Sequence, residues 1–414
     1  MQTKLADFIK GTPDGDEAES ILRACVHCGF CTATCPTYQI LGDELDGPRG
    51  RIYLIKQVLE GAEVTRKTQL HLDRCLTCRN CETTCPSGVR YGRLADIGRK
   101  VVDERVRRPL AERFKRALLK EALPRKWIFR PAFKAGQLVR PLLSPGLQDK
   151  LPATPAPGRR PSRTHARKML VLEGCVQPSM GPNINAAAAR VLDACGVQLV
   201  AAPGEGCCGA LRFHMNDQAG GLDDMRRNID AWWPLLDGVE CIVMTASGCG
   251  VTVKEYGHLL AHDAAYAAKA QRVSSMTRDL SEVIPEFETE LAARLRGKIG
   301  KRVAYHPPCT LQHGQQIRGK VESLLRAAGV DVVLCADSHL CCGSAGTYSV
   351  LQPALAQELR TRKLGSLLNT GAQEIVSANI GCLTHLQAGT EVPVTHWIEL
   401  VDRALNVSGA REPD

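Results

Sequence analysis

The chain has 414 residues, 44% of them apolar, 4% aromatic and 23% charged, the composition of a folded protein of roughly two to four domains, which excludes a disordered chain. The few aromatics argue against a stacking platform for single-stranded nucleic acid, no apolar run approaches the ~18 residues of a membrane span, and residues 1–10 lack the apolar core of a secretory leader. The net charge of +9 is local: residues 99–168 carry 20 Lys/Arg against 5 Asp/Glu, a net of +15, which leaves the rest of the chain at −6.

Nineteen cysteines are present. Without export a disulfide framework is disfavoured, so clustered cysteines read as metal or cluster ligands. Residues 1–98 hold eight of them in two groups. Cys25, Cys28, Cys31 and Cys35 precede Pro36, and Cys75, Cys78, Cys81 and Cys85 precede Pro86. Two-residue spacers let three successive thiolates wrap one [4Fe–4S] cube, while the fourth, three residues on, serves the other cube. This crossed scheme assigns Cys25, Cys28, Cys31 and Cys85 to one cluster. It assigns Cys75, Cys78, Cys81 and Cys35 to a second. Structural zinc is the alternative, but zinc sites pair two Cys-x-x-Cys knuckles or add histidines. Between the groups, residues 50–61 place Ile52, Ile55 and Leu59 on one helical face, and residues 64–72 form a second helix. With little strand signal, an all-helical two-cluster ferredoxin-type domain is expected.

Residues 99–168 contain no cysteine and read as a basic, proline-rich linker. Residues 110–122 form an amphipathic helix, with Leu110, Phe114, Ala117 and Leu118 opposite Arg113, Arg116 and Lys120. Residues 127–143 mix Trp127, Phe129 and Phe133 with Arg130, Lys134 and Arg140, and are broken by Pro131 and Pro141. Such a stretch suits peripheral contact with an anionic membrane. It also suits a solvated linker gripping a protein partner or its own domains. No nucleic-acid recognition motif accompanies the charge.

The remaining eleven cysteines reveal an internal duplication. Cys175, Cys207, Cys208 and Cys249 are matched by Cys309, Cys341, Cys342 and Cys382, with offsets of 134, 134, 134 and 133 residues. Two domains follow, 169–295 and 296–408. Strands are predicted at 168–173, 197–201 and 240–245 in the first copy and at 302–305 and 374–378 in the second, with a helix at 184–195. Alternating strand and helix predicts a parallel, Rossmann-like α/β sheet, with the cysteines just beyond strand ends, where such sheets place ligands. The glycine after each Cys-Cys pair, Gly209 and Gly343, permits the tight turn that aims both thiols at one site. Each set of four thiols could hold a further cluster, line an empty crevice, or form a redox disulfide. Cys195, Cys241 and Cys335 lie outside the pattern and read as apolar filling. His385, three residues after Cys382, is a minor ligand candidate; Thr252 occupies that place in the first copy. No Gly-x-Gly-x-x-Gly follows a strand and no Walker loop is present, so neither flavin nor NAD is expected here. Substrate chemistry is expected on another chain.

The words ILRACVHCGFC at 21–31, DGPRGRI at 46–52, NIDAWWP at 228–234, TASGCG at 245–250, SHLCCGSAGTY at 338–348 and ANIGC at 378–382 resemble the iron–sulfur subunits of bacterial glycolate oxidase. The cysteine pattern alone is shared with heterodisulfide reductase subunits, the anaerobic glycerol-3-phosphate dehydrogenase small subunit and lactate-utilisation proteins. The resemblance implies a complex with two FAD-binding subunits that oxidise glycolate to glyoxylate. Electrons would pass through this chain to a quinone or another acceptor, on the cytoplasmic side and peripheral to the inner membrane. It also supports the eight N-terminal cysteines as ligands. Lactate or glycerol 3-phosphate oxidation, or thiol–disulfide reduction, are the alternative activities. One departure stands out. Heterodisulfide-reductase repeats end in Cys-x-x-Cys, whereas here Thr252 and His385 replace the last cysteine, which disfavours an unusual disulfide-cleaving cluster.

Overall fold

The computed structural model describes residues 1–143, 148, 149, 151, 152, 154 and 156–406; the expected boundary at 408 lies outside them. Among the described residues the N-terminal body is all-helical. Its helices Pro13–Ala24 and Arg66–Asp73 start where Thr12 and Thr65 accept backbone N–H groups at Gly15 and Thr68, the usual cap of an otherwise unsatisfied first turn. Helix Pro48–Leu59 presents Ile52, Ile55 and Leu59, all buried, to helix Tyr91–Arg105. The two approach closely at Gly98, where any Cβ would stand 2.6 Å from Ile55. Helix Tyr91–Arg105 runs through the boundary expected at residue 98, and Val101 and Val102 belong to the same core.

The basic segment forms helices Leu110–Ala122 and Lys126–Leu138. The first was expected. The second crosses Pro131 without a break, contrary to the interruption expected there. A proline inside a helix removes one N–H bond; here it would have gone to the carbonyl of Trp127, a residue 76% exposed, so water can take that bond.

Two four-stranded sheets follow, every pairing parallel. The first comprises β1 (Arg167–Val171), β2 (Val197–Ala201), β3 (Ile242–Met244) and β4 (Thr277–Asp279), in the order β2-β1-β3-β4. The second comprises β5 (Arg302–His306), β6 (Asp331–Leu334), β7 (Glu374–Ser377) and β8 (Val394–His396), in the order β6-β5-β7-β8. The duplication is thus a duplication of topology. The edge strands β4, β6 and β8 were not foreseen: they are three or four residues long, β4 wholly polar and β6 and β8 mixing polar with apolar side chains, too short for periodicity to register.

The two α/β domains share a continuous core. Val191 and Leu192 of helix Asn183–Ala194 join Trp397, Leu400 and Val401 of the C-terminal helix, and Arg190 grips Asp402 through two bonds of 2.8 and 2.6 Å. The helical body rests on both domains. Arg79 pairs with Glu255 of the first at 2.5 and 2.9 Å. Asn80 and Thr83 reach His339 and His313 of the second, and Tyr348 donates its hydroxyl to the carbonyl of Arg74.

Candidate metal centres

In the helical body the two cysteine loops follow one backbone course, fifty residues apart. Positive φ occurs at His27 and Gly29 in the first and at Thr77 and Arg79 in the second. Three of these are not glycine, so both loops hold a conformation that side chains ordinarily avoid. Two cavities result. One is lined by Cys25, Cys28, Cys31 and Cys85, together with Cys81. The other is lined by Cys35, Cys75, Cys78 and Cys81. Each cavity therefore gathers three cysteines of one motif and the last cysteine of the other. Cys81 lines both, so the cavities adjoin.

The electrostatics of the two differ. Around the first cavity, Cys28 is exposed and Cys31 and Cys85 are half-buried; burial, then the neighbouring Cys25, pushes the Cys31 thiol up to about 11. Around the second, burial alone would push Cys75 up, but the buried guanidinium groups of Arg51 and Arg99 outweigh it and hold that thiol below its ordinary value. Arg51 is fixed by Asp46, by the carbonyl of His71 and by Thr37; Thr37 also touches the Cys35 sulfur at 3.3 Å. Arg99 is fixed by the carbonyls of Leu72 and Cys75 and by Thr77. Asp46, Asp43 and His71 lie close together, but Asp46 is engaged by Arg51 and Arg74 and reads as an ion-pair hub. Soft thiolates enclosed four to a cavity, with buried positive charge beside them, suit an anionic iron–sulfur cube.

In the first α/β domain Cys175, Cys207, Cys208 and Cys249 form a row in which each sulfur meets the next. Cys207 accepts from Cys175 and Cys208, which lowers its thiol and raises theirs. The Cys-Cys turn is held by Asn228, which bonds the Cys207 carbonyl at 2.7 Å, and by Tyr256, which bonds the Cys208 carbonyl at 2.8 Å. The second domain repeats the row as Cys309, Cys341, Cys342 and Cys382, all buried. Gly209 and Gly343 take φ of 88° and 89°. A Cβ at either would stand 2.6 Å from a backbone oxygen, of Gly221 or of Ala356, so only glycine fits.

The second-domain row abuts the helical body. Cys78 packs in one apolar cluster with Leu76, Cys309, Cys341 and Tyr348. Of the other cysteines, Cys241 and Cys335 are core residues, whereas Cys195 is only half-buried, at a helix end. His385 bonds the carbonyl of Ala356 at 3.1 Å. The imidazole that lies with Cys342 and Cys382 is instead His306, which the reading of the sequence missed. The signal was present: aligning the repeats on Cys175 and Cys309 sets His306 against Leu172.

Residues 21–89 match the family described as 4Fe-4S dicluster domain, and residues 169–254 and 303–387 each match the family described as cysteine-rich domain. The glycolate oxidase iron-sulfur subunit of Escherichia coli strain K12 is 55% identical over 407 residues, covering 98% of this chain and 99% of that protein. The probable glycolate oxidase iron-sulfur subunit of Bacillus subtilis strain 168 is 30% identical, covering 91% and 90%. Lactate utilization protein A of Bacillus cytotoxicus is 25% identical over 57% of this chain. A solved structure of a hypothetical protein from Helicobacter pylori superposes with a TM-score of 0.50 at 10% identity, over 97% of this chain and 73% of that one, a likeness of fold alone. Among the described residues no helix is long and apolar enough to cross a membrane. On the near-complete alignments with two relatives, the chain belongs to the glycolate oxidase iron-sulfur subunit family.

Proposed function

We propose that this chain carries electrons between a flavin-bearing partner and a membrane quinone or another acceptor, as the iron–sulfur subunit of a glycolate-oxidising complex. The observation that carries this reading is the continuity of the thiol sites. Cys81 lines both N-terminal cavities, and Cys78 shares an apolar cluster with Cys309 and Cys341. In the proposed assignment Cys25, Cys28, Cys31 and Cys85 hold one [4Fe–4S] cluster, and Cys75, Cys78, Cys81 and Cys35 hold a second. Cys309, Cys341, Cys342 and Cys382 hold a third centre, and Cys175, Cys207, Cys208 and Cys249 offer a fourth site. Clusters bound at these positions supply one-electron carriers. The protein's part is to anchor the thiolates, to keep water from the buried row, and to set buried Arg51 and Arg99 beside the second cavity. Two FAD-binding subunits oxidise glycolate to glyoxylate in this scheme, and their two electrons leave singly through this chain.

The basic helices supply a membrane-facing surface. Leu110, Phe114, Leu118, Trp127, Leu138 and Leu142 are all more than half exposed, beside Arg113, Arg130, Lys134 and Arg140. An apolar stripe rimmed by cations is the pattern of an interfacial helix on anionic lipid.

The test is iron and acid-labile sulfide per chain after anaerobic purification, with activity assayed with and without the flavin subunits. About twelve to sixteen irons, and glycolate-dependent quinone reduction only in the reconstituted complex, are expected. Glycolate oxidation by the isolated chain would overturn the electron-carrier role, and a reconstituted complex selective for lactate would overturn the substrate.

A further inference from the structure

The strand β5 ends at His306, and its carbonyl accepts the hydroxyl of Ser377 at the end of β7. That bond fixes the backbone but leaves the imidazole uncommitted. The side chain is fully buried, and neither ring nitrogen has a hydrogen-bond partner among the described residues. Buried polar groups are almost always paired, and an orphan calls for an explanation. The other buried histidines are engaged: His313 with Thr83 and a carbonyl, His385 with the Ala356 carbonyl, His396 with Thr245 and Ile398. His306 instead has a ring nitrogen that forms, with the sulfurs of Cys342 and Cys382, a group of atoms all within 4.8 Å of one another.

Packing does not demand a histidine here. Leu172 fills the same place in the first copy and belongs to an apolar cluster with Leu170, Ile242, Met244 and Cys208. The duplicated fold accepts a hydrocarbon at this position, so the polar ring in the second copy answers some other need.

We propose that His306 is a nitrogen ligand of the iron–sulfur centre in the second α/β domain, which makes that centre a mixed imidazole–thiolate site and leaves the first domain's site all-thiolate. The inference rests on the reading that this domain binds a cluster. Among the groups here, only His306, Cys342 and Cys382 are mutually close enough for one ion, whereas the sulfur row runs on to Cys341 and Cys309. A donor set drawn out in this way suits a polynuclear centre better than one tetrahedral ion, whose four ligands crowd a single atom. The imidazole stands at the Cys342–Cys382 end, and Cys309 and Cys341 stand at the end that packs against Cys78. Replacing thiolate by neutral imidazole lowers the negative charge on a cluster and raises its reduction potential. With His306 taking the place of one of the four thiolates, the second-domain centre would therefore accept electrons more readily than the all-thiolate site of the first domain.

The test uses the full chain, purified anaerobically, with histidine labelled by ¹⁵N, and reads nitrogen hyperfine coupling by pulsed EPR in the paramagnetic state. Iron beyond the two N-terminal clusters, together with a strongly coupled nitrogen that shifts on histidine labelling, is expected. His306→Leu, the residue of the first copy, should abolish that coupling while leaving the N-terminal cluster signals in place. His306→Cys should move the potential of the second-domain centre downward. Extra iron with no coupled histidine nitrogen overturns the ligand assignment alone, as does coupling that survives in His306→Leu, and zinc in place of iron overturns the iron–sulfur assignment. Iron for two clusters only, with no other metal, overturns the proposal together with the reading beneath it. If His306→Leu fails to fold, the absence of a coupled histidine nitrogen in the wild type still overturns the ligand assignment, and so does an unchanged potential in His306→Cys.

Discussion

Arg99 shows how one side chain can set the chemistry of a site without belonging to it. It is buried, it is anchored by three backbone or hydroxyl groups, and with Arg51 it holds the Cys75 thiol down against the pull of burial. A positive charge that favours a thiolate also favours the reduced, more negative state of a cluster bound to it. Arg99→Gln should therefore lower the potential of the cluster proposed at Cys75, by an amount on the order of 59 mV, a tenfold change in a one-electron equilibrium. Arg99→Lys should keep most of it. Redox titration followed by EPR reads both, and equal potentials in the two variants would remove the electrostatic role. Gly343 makes a steric case at the same scale. With φ at 89° and a backbone oxygen 2.6 Å from any Cβ, Gly343→Ala should cost about 2 kcal/mol or more in stability, since both the left-handed backbone and the overlap must be accommodated. It should also deplete the iron proposed for the second α/β domain; an unchanged melting temperature and iron content would show that the turn tolerates a side chain.

At the scale of elements, helix Leu110–Ala122 turns its apolar face outward. Arg108 and Arg116 are buried against Asp73, and Arg108 also pairs with Glu112, so charged groups fasten the segment to the helical body while Leu110, Phe114 and Leu118 point outward. The double variant Phe114→Glu, Trp127→Glu should bind vesicles containing anionic lipid at least tenfold more weakly, since each large apolar side chain is worth about 1.5–3 kcal/mol when it leaves water. Co-sedimentation measures this, and unchanged binding would assign the stripe to a protein partner. Periodicity alone made this helix legible, together with Pro48–Leu59 and the long strands β1 and β2, because each is long enough to show a face. It could not show which face turns inward: that depends on Asp73, which lies far away in the sequence and becomes a neighbour only on folding. Strands β4, β6 and β8 were illegible for the complementary reason, being three or four residues long and placed by the sheet they complete. The grouping of the cysteine loops was legible from their fixed spacing, which the lining of the two cavities follows. His306 carries no spacing of its own; its one signal, a histidine set against Leu172 when the repeats are aligned, gains a meaning only beside Cys342 and Cys382.

For the whole molecule, the interface between the duplicated domains governs how the sites are held together, and His396 lies within it. The end of β8 places its Nε2 3.0 Å from the carbonyl of Thr245 in the first domain, while its Nδ1 accepts the N–H of Ile398 at 3.2 Å. Both contacts require the neutral ring with its hydrogen on Nε2. Burial of the ring depresses its pKa to about 3, and a second proton on Nδ1 would confront the N–H of Ile398. In the unfolded chain the same group titrates near 6.5. Between these values the unfolded state binds the extra proton and the folded state does not. The contribution of His396 is therefore complete above pH ~6.5 and is lost as pH falls towards 3, at up to about 1.4 kcal/mol per pH unit. His396→Gln, whose amide can still donate to Thr245, cannot take up that proton. Its melting temperature should fall less steeply than that of the wild type between pH 7 and pH 5, with the two curves converging at the acid end. Curves that stay parallel through this window would show that protonation of His396 is not what loosens the two domains in acid, and attention would pass to His313, whose ring bridges Thr83 and His339 and whose pKa burial lowers to about 4.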